Sequence, residues 1–230
     1  MHEPFALVIL LTGMCTSSLA QSASSAKGPC SMQSAIPSQL GITHRSGSLQ
    51  ESLAGKTLLV IGATAFVAAC AHLSFPLPFT PVPLTLQNFA VILVGMALGP
   101  IAGFSAMVLY LAEGALGLPV FTPTGGPAGV AHLLGPNGGF LFSYPLAAAI
   151  AGWVVRAMQP MTTRFRSALV AAAAATLPIF LLGAGWFACY AHHSVSATWS
   201  LSIAPFIPGE IVKVTAAAGI FSSLQRWRQS

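Results

Sequence analysis

The chain has 230 residues, 55% of them hydrophobic and only 6% charged, with four Glu, no Asp and a formal net charge of +5. Its mean hydropathy is +0.78. Soluble domains carry about 25% charged residues, so this composition excludes a water-facing surface and places the chain in a lipid bilayer.

Residues 1–56 differ from the rest. The apolar run "FALVILLTGMC" (5–15) is too short to span a bilayer. With "SLA" (18–20) it has the outline of a signal peptide, but "MHEP" before it has no Lys or Arg. Residues 16–50 are rich in Ser, Gln and small types without helical periodicity and read as disordered.

Six apolar segments follow, at 57–75, 84–99, 100–117, 138–158, 166–190 and 203–225. Most approach the ~20 residues that a membrane helix needs. The second and third meet at Gly99-Pro100, a helix break. The expected fold is an all-α bundle of six transmembrane helices over 57–225, with 1–56 as an N-terminal extension and 226–230 as a tail. The connections 76–83 and 118–139 are rich in Pro and Gly. The longer one is too irregular to face lipid and must be covered by protein or lie at the interface.

The cations orient the bundle. Lys27, Arg45 and Lys56 precede the first span, Arg156, Arg164 and Arg166 separate the fourth from the fifth, and Arg226 and Arg228 follow the sixth. With six spans these positions share one side, which predicts cytoplasmic termini. A cleaved export signal would put Arg45 and Lys56 outside, so a start at Met32 or a cytoplasmic tail fits better. Of the four Cys, Cys70 and Cys189 fall in apolar segments and read as buried free thiols, and no spacing among the four suggests zinc or a disulfide framework.

In this topology the polar residues gather in the outer half of the bilayer. Thr85, Gln87 and Asn88 open the second span. Tyr110 and Glu113 close the third. Asn137 and Tyr144 flank the start of the fourth, Trp186 and Tyr190 close the fifth, and Glu210 and Lys213 open the sixth. An ion in hydrocarbon costs at least ~2.5–3.5 kcal/mol, so such groups face a cavity or a partner. Their convergence predicts an outward-facing small-molecule pocket with apolar walls and a few placed donors and acceptors. Each residue also has a structural reading. Glu210 and Lys213 can pair at i, i+3, Glu113 can sit at the interface, and Trp186 and Tyr190 can form an aromatic belt. His192-His193 has no third metal ligand, and His72 and His132 have no evident partner.

Four stretches carry a resemblance: "PVPLTLQNFAVILVGMALGPIAG" (81–103), "YLAEGALGLPVF" (110–121), "LLGPNGGFLFSYPLAAAIAG" (133–152) and "PFIPGEIVKVTAAA" (205–218). Together they resemble the BioY family, the biotin-binding substrate subunits (S components) of energy-coupling factor (ECF) transporters. Three positions depart from the family's usual pattern. Asn137 stands for Thr, Phe140 for Tyr and Glu210 for Asp. These changes bear on affinity more than on substrate class.

The resemblance implies an S-component-like bundle in the plasma membrane that captures biotin from outside. It also implies coupling to an ECF transmembrane subunit and two cytoplasmic ATPases. This chain has no Walker A pattern, so ATP hydrolysis would occur elsewhere. No cofactor is expected beyond biotin as cargo, and no nucleic-acid partner. In such a pocket Glu210 can accept from the ureido N–H groups, Lys213 can donate to a carbonyl or carboxylate, and Gln87, Asn88 and Asn137 can do either. Tyr110, Glu113 and Tyr144 complete the polar set. Trp186 and Phe121 supply apolar wall, and Gly138 and Gly139 permit close backbone approach. Ala65 and Ala69 in the first span form a small-xxx-small face, which the resemblance implies docks on the transmembrane partner. Two other readings remain open. One is a transport subunit of the same architecture for another vitamin. The other is an intramembrane enzyme, which lacks a nucleophile–base pair at helical spacing.

Overall fold

The computed structural model describes residues 53–227 except 79, 81, 125, 160 and 193. Residues 1–52 of the N-terminal extension, with Cys15, Cys30, Lys27 and Arg45, lie outside the described residues, as do His193 and Arg228, while 53–56 already belong to the first helix.

Each expected span contains a helix. These are α1 (Leu53–His72), α2 (Gln87–Leu98), α3 (Pro100–Ala115), α5 (Gly138–Met158), α6 (Arg164–Ala191) and α8 (Ile207–Trp227). Between them lie two short helices, α4 (Val130–Leu133) and α7 (Val195–Ser202), and one 3-10 turn, Ala204–Phe206. The boundary differences have local causes. Ser74–Phe75 (β1) and Leu84–Thr85 (β2) pair antiparallel, Ser74 opposite Thr85 and Phe75 opposite Leu84. This small hairpin takes the end of the first expected segment and the start of the second. The sixth helix starts at Ile207 because α7, begun by the Ser194 cap that accepts from the Ala197 N–H at 3.4 Å, ends at Ser202, and the 3-10 turn Ala204–Phe206 intervenes.

The break between α2 and α3 is as expected. Gly99 adopts φ +88, a left-handed conformation costly to any residue with a Cβ, and Pro100 opens α3 without needing an N–H donor bond. At the same end, Arg156 Nη2 donates to the Leu98 carbonyl at 3.2 Å, setting a cation at the negative end of α2.

Helix α5 packs against α2, α3, α4 and α6. Small residues allow the close approach, since in lipid it is van der Waals packing that holds helices together. Ala168, Ala171, Ala172 and Ala175 form a buried stripe on α6 at i, i+3, i+4, i+7. A Cβ added at Gly152 would lie 2.5 Å from the Gly99 carbonyl carbon, and one at Gly95 would meet the Ala148 carbonyl. Large apolar side chains such as Leu58, Ile101, Leu181 and Ile211 point outward, as a lipid-facing surface requires. Cys70 is buried, but Cys189 is exposed. An apolar segment in lipid has an outward face as well as an inward one, so the expectation of burial fails for that thiol.

Among the described residues, four segments are long and apolar enough to cross a membrane on their own: Gly55–His72, Gly138–Met158, Arg164–Ala191 and Val195–Trp227. Helices α2 and α3 are shorter, at 12 and 16 residues. At 1.5 Å per residue α2 rises only about 18 Å, against a hydrocarbon core of about 30 Å. Its first turn therefore stops inside the bundle. Val82, Pro83 and Thr85 from the connection before it, and Thr122 and His132 from the long connection, surround that first turn.

Candidate functional site

The recess above α2 is a cavity of about 530 Å³, its open mouth included. Only about 40 Å³ of it can be reached by the centre of a water-sized sphere, so the empty recess is narrow and its walls must part to seat a small organic molecule. Residues from six regions line it: Val82, Pro83 and Thr85 before α2, Gln87 and Asn88 in its first turn, Thr122 and His132 from the long connection, Asn137, Phe140, Leu141 and Tyr144 around the start of α5, Phe180 on α6, and Phe206 and Lys213 at α8. Pro145 inside α5 has no N–H, so the Leu141 carbonyl one turn earlier lacks its helical donor at the cavity wall.

Hydrogen bonds hold the polar floor. Gln87 Nε2 donates to Tyr110 Oη at 2.8 Å, and Tyr110 donates onward to the Val120 carbonyl at 2.8 Å. Tyr144 Oη donates to Asn88 Oδ1 at 3.1 Å. Lys213 Nζ donates to Glu210 Oε2 at 3.2 Å, with both residues buried. In α8, i and i+3 share a face, and Glu210 also occupies the first turn, where the helix dipole favours an anion.

Several buried polar atoms have no partner. Among the described residues these are His132 Nε2, both amide atoms of Asn137, Glu210 Oε1 and Thr162 Oγ1. The first four belong to the cavity wall or to the ion pair at its edge. Leaving a buried polar atom unsatisfied costs about 1–3 kcal/mol. Four such atoms gathered at one recess call for a polar molecule to fill it.

Of the residues expected at the site, Gln87, Asn88, Asn137, Tyr144 and Lys213 line the cavity. Glu210 stands one contact behind, through Lys213. Tyr110 is fully buried behind Gln87 and acts as a strut between α2 and the long connection. Phe121 packs edge-on against Tyr110, with ring centres 5.5 Å apart, and is stacked by His132. Glu113 accepts from Thr64 Oγ1 at 3.1 Å and ties α3 to α1. Trp186 donates from Nε1 to the Gly135 carbonyl at 2.9 Å and meets Phe142 at 5.8 Å. The close approach at Gly139 is to the Trp186 side chain and the Leu182 carbonyl, and the approach at Gly138 is to the Leu133 carbonyl. These two glycines thus seat α6 and the preceding turn against α5, and they do not line the recess. Ala65 and Ala69 are exposed on the outer face of α1.

The apolar walls Val82, Phe140, Leu141, Phe180 and Phe206, and the polar residues Thr122 and His132, were not expected at the site. An apolar residue on an apolar helix carries no signal in sequence. His132 did carry one, as an imidazole in an otherwise charge-free connection.

The model of the BioY family matches residues 42–230. A Pyrococcus horikoshii protein named "Probable biotin transporter BioY" is 40% identical over 145 residues, covering 63% of this chain and 82% of its own length. The Thermotoga maritima "Biotin transporter BioY" is 34% identical, covering 71% and 91%. The crystal structure of the S-component for biotin from an ECF-type ABC transporter superposes with a TM-score of 0.67 at 26% identity, over 74% of this chain and 90% of that one. The family match spans every helix and the whole recess, so this multi-pass membrane chain belongs to the BioY family.

Proposed function

We propose that the chain is the biotin-capturing membrane subunit of an ECF-type transporter in the plasma membrane, with its recess facing outward and its termini in the cytoplasm. The four unsatisfied polar atoms at one recess carry the reading. Biotin offers an apolar thiophane and valeryl chain to Phe140, Phe180 and Phe206. It also brings two N–H donors, a carbonyl and a carboxylate to a polar wall that holds unused donors and acceptors. The transporter names of the relatives support cargo binding and point away from catalysis. The likeness to the biotin S-component supports coupling to a transmembrane subunit and two cytoplasmic ATPases. The cations Lys56, Arg156, Arg164, Arg166 and Arg226 all lie at helix ends opposite the recess, which supports the orientation.

The test is equilibrium binding of radiolabelled biotin to the purified protein, in competition with a panel of other vitamins. Saturable binding of biotin, unchanged on recovery, is the expected result. Preference for another vitamin, or chemical conversion of the ligand, would overturn the proposal.

A further inference from the structure

We infer that an anionic phospholipid seats in a groove beneath the C-terminal end of α2, its phosphate held by Lys56 and Arg156 and one acyl chain laid against Leu59 and Leu224. The site lies at the end of the bundle opposite the recess and is independent of which vitamin the recess takes.

The groove has the same origin as the recess. Helix α2 packs against both α1 and α8, but it stops at Leu98. Leu59 on α1 and Phe221 on α8 stand beside that end. From them α1 reaches back to Leu53 and α8 runs on to Trp227, each about 9 Å of further helix. The gap left between them has two open lobes of about 540 and about 560 Å³, which share Leu59, Ala97, Leu98 and Arg156. It is far more open than the narrow outer recess.

Its walls change character toward the bilayer surface. Met96 and Phe221 at the inner end are buried, and Leu59 and Leu224, 40% and 50% exposed, flank the opening. Nearer the headgroups come Lys56 and Arg156, both exposed and both lining the second lobe. Trp227 borders the first lobe at the end of α8, where interfacial tryptophans sit. An apolar trough ending in two cations matches a molecule with an apolar tail and an anionic head.

No described carboxylate competes for these cations at this end. Glu113 and Glu210 are the described acidic residues, one in the last turn of α3 and the other in the first turn of α8, both at the opposite end of the bundle. Arg156 donates from Nη2 to the Leu98 carbonyl at 3.2 Å, which holds its guanidinium over Gly99. The same group has four further N–H donors for a phosphate. A phospholipid's own tails set its phosphate at the depth of the helix ends, so it meets Lys56 and Arg156 without another protein. Each cation near anionic headgroups strengthens such binding about fivefold.

The experiment is native mass spectrometry of the purified full chain in detergent, titrated with phosphatidylglycerol or with phosphatidylcholine of the same acyl chains, reading the affinity for the first lipid bound. The parent should hold phosphatidylglycerol at least about fivefold more tightly than phosphatidylcholine. Lys56→Gln and Arg156→Gln should each cost about fivefold for phosphatidylglycerol and leave phosphatidylcholine unchanged. Arg166→Gln removes a cation from the same end of the bundle but outside the groove lining, and should keep the parent's preference. Ala97→Phe fills the groove from an exposed position common to both lobes without changing charge, and should weaken both lipids. Equal affinity of the parent for the two lipids overturns the inference, as happens if a protein segment takes the groove instead. A loss in Arg166→Gln equal to that in Lys56→Gln reveals a diffuse surface charge in place of a site and overturns it too. If Arg156→Gln fails to fold for want of its bond to Leu98, Lys56→Gln and Ala97→Phe decide, and parent-like binding by both refutes the site. Biotin binding by the same preparations reports on the recess separately, so a failure here leaves the proposed function standing.

Discussion

Removing the Lys213 ammonium perturbs the site most sharply. Nζ lies 3.2 Å from Glu210 Oε2, and the two side chains are 8% and 6% exposed, so solvent screens the pair little. At an effective dielectric of about 20, the Coulomb attraction over that distance is about 5 kcal/mol. Desolvation of the two ions opposes it by several kcal/mol each, so the intact pair contributes little net stability. Truncation differs in kind. Lys213→Ala leaves the Glu210 carboxylate buried with no cation and with Oε1 already unpartnered. Breaking one side of a buried pair costs about 3–5 kcal/mol. Part of that cost falls on the empty protein and part on the complex, because Lys213 itself lines the cavity. A loss of about 2.7 kcal/mol in binding is already a hundredfold. Glu210→Gln should cost less, because its amide oxygen still accepts from Lys213. Glu210→Asp installs the residue usual in the family and should bind about as well as the parent. The assay is equilibrium biotin binding to purified variants, with folding checked by size exclusion. If Lys213→Ala and Glu210→Gln both bind like the parent, the pair is structural only and the site does not extend to α8.

Gly139→Ala forces a methyl into the Trp186 side chain and the Leu182 carbonyl. Overpacking of this kind costs about 1–3 kcal/mol, and thermal unfolding in detergent should show a lowered midpoint. Tyr110→Phe removes the acceptor of Gln87 and the donor to the Val120 carbonyl. It should destabilise by about 1–3 kcal/mol and weaken biotin binding through a loosened floor, and unchanged stability would show that the strut carries no strain. Ala65→Leu or Ala69→Leu, both at exposed positions, should spare biotin binding but reduce co-purification of a transmembrane partner, and undiminished co-purification would remove these alanines from the interface. A chain starting at Met32 should insert and bind as the full chain does, to be judged by binding at equal membrane abundance.

The bilayer made much of the architecture legible in sequence. Backbone that faces lipid must satisfy its own hydrogen bonds, here as apolar helix, so the segments announce themselves by composition, and Gly99-Pro100 marks its own break because the backbone there needs a left-handed residue and then no donor. The convergence of Gln87, Asn88, Asn137, Tyr144 and Lys213 was readable too, since polar groups at one depth of a membrane have few places to turn. What sequence could not assign was direction and partner. Tyr110, Glu113 and Trp186 look like the cavity's polar residues, yet Val120, Thr64 and Gly135 take their hydrogen bonds, the last two from across the fold. Gly138 and Gly139 make room for Leu133 and Trp186. Phe180 and Phe206 become wall only because α6 and the 3-10 turn reach a recess opened by the shortness of α2. His132 is stacked on Phe121 with Nε2 buried and unpartnered, a placement that nothing in its sequence neighbours announces. Backbone periodicity is local and can be read along the chain. Which side chain meets which depends on helices brought together from tens of residues apart, and only their packing decides it.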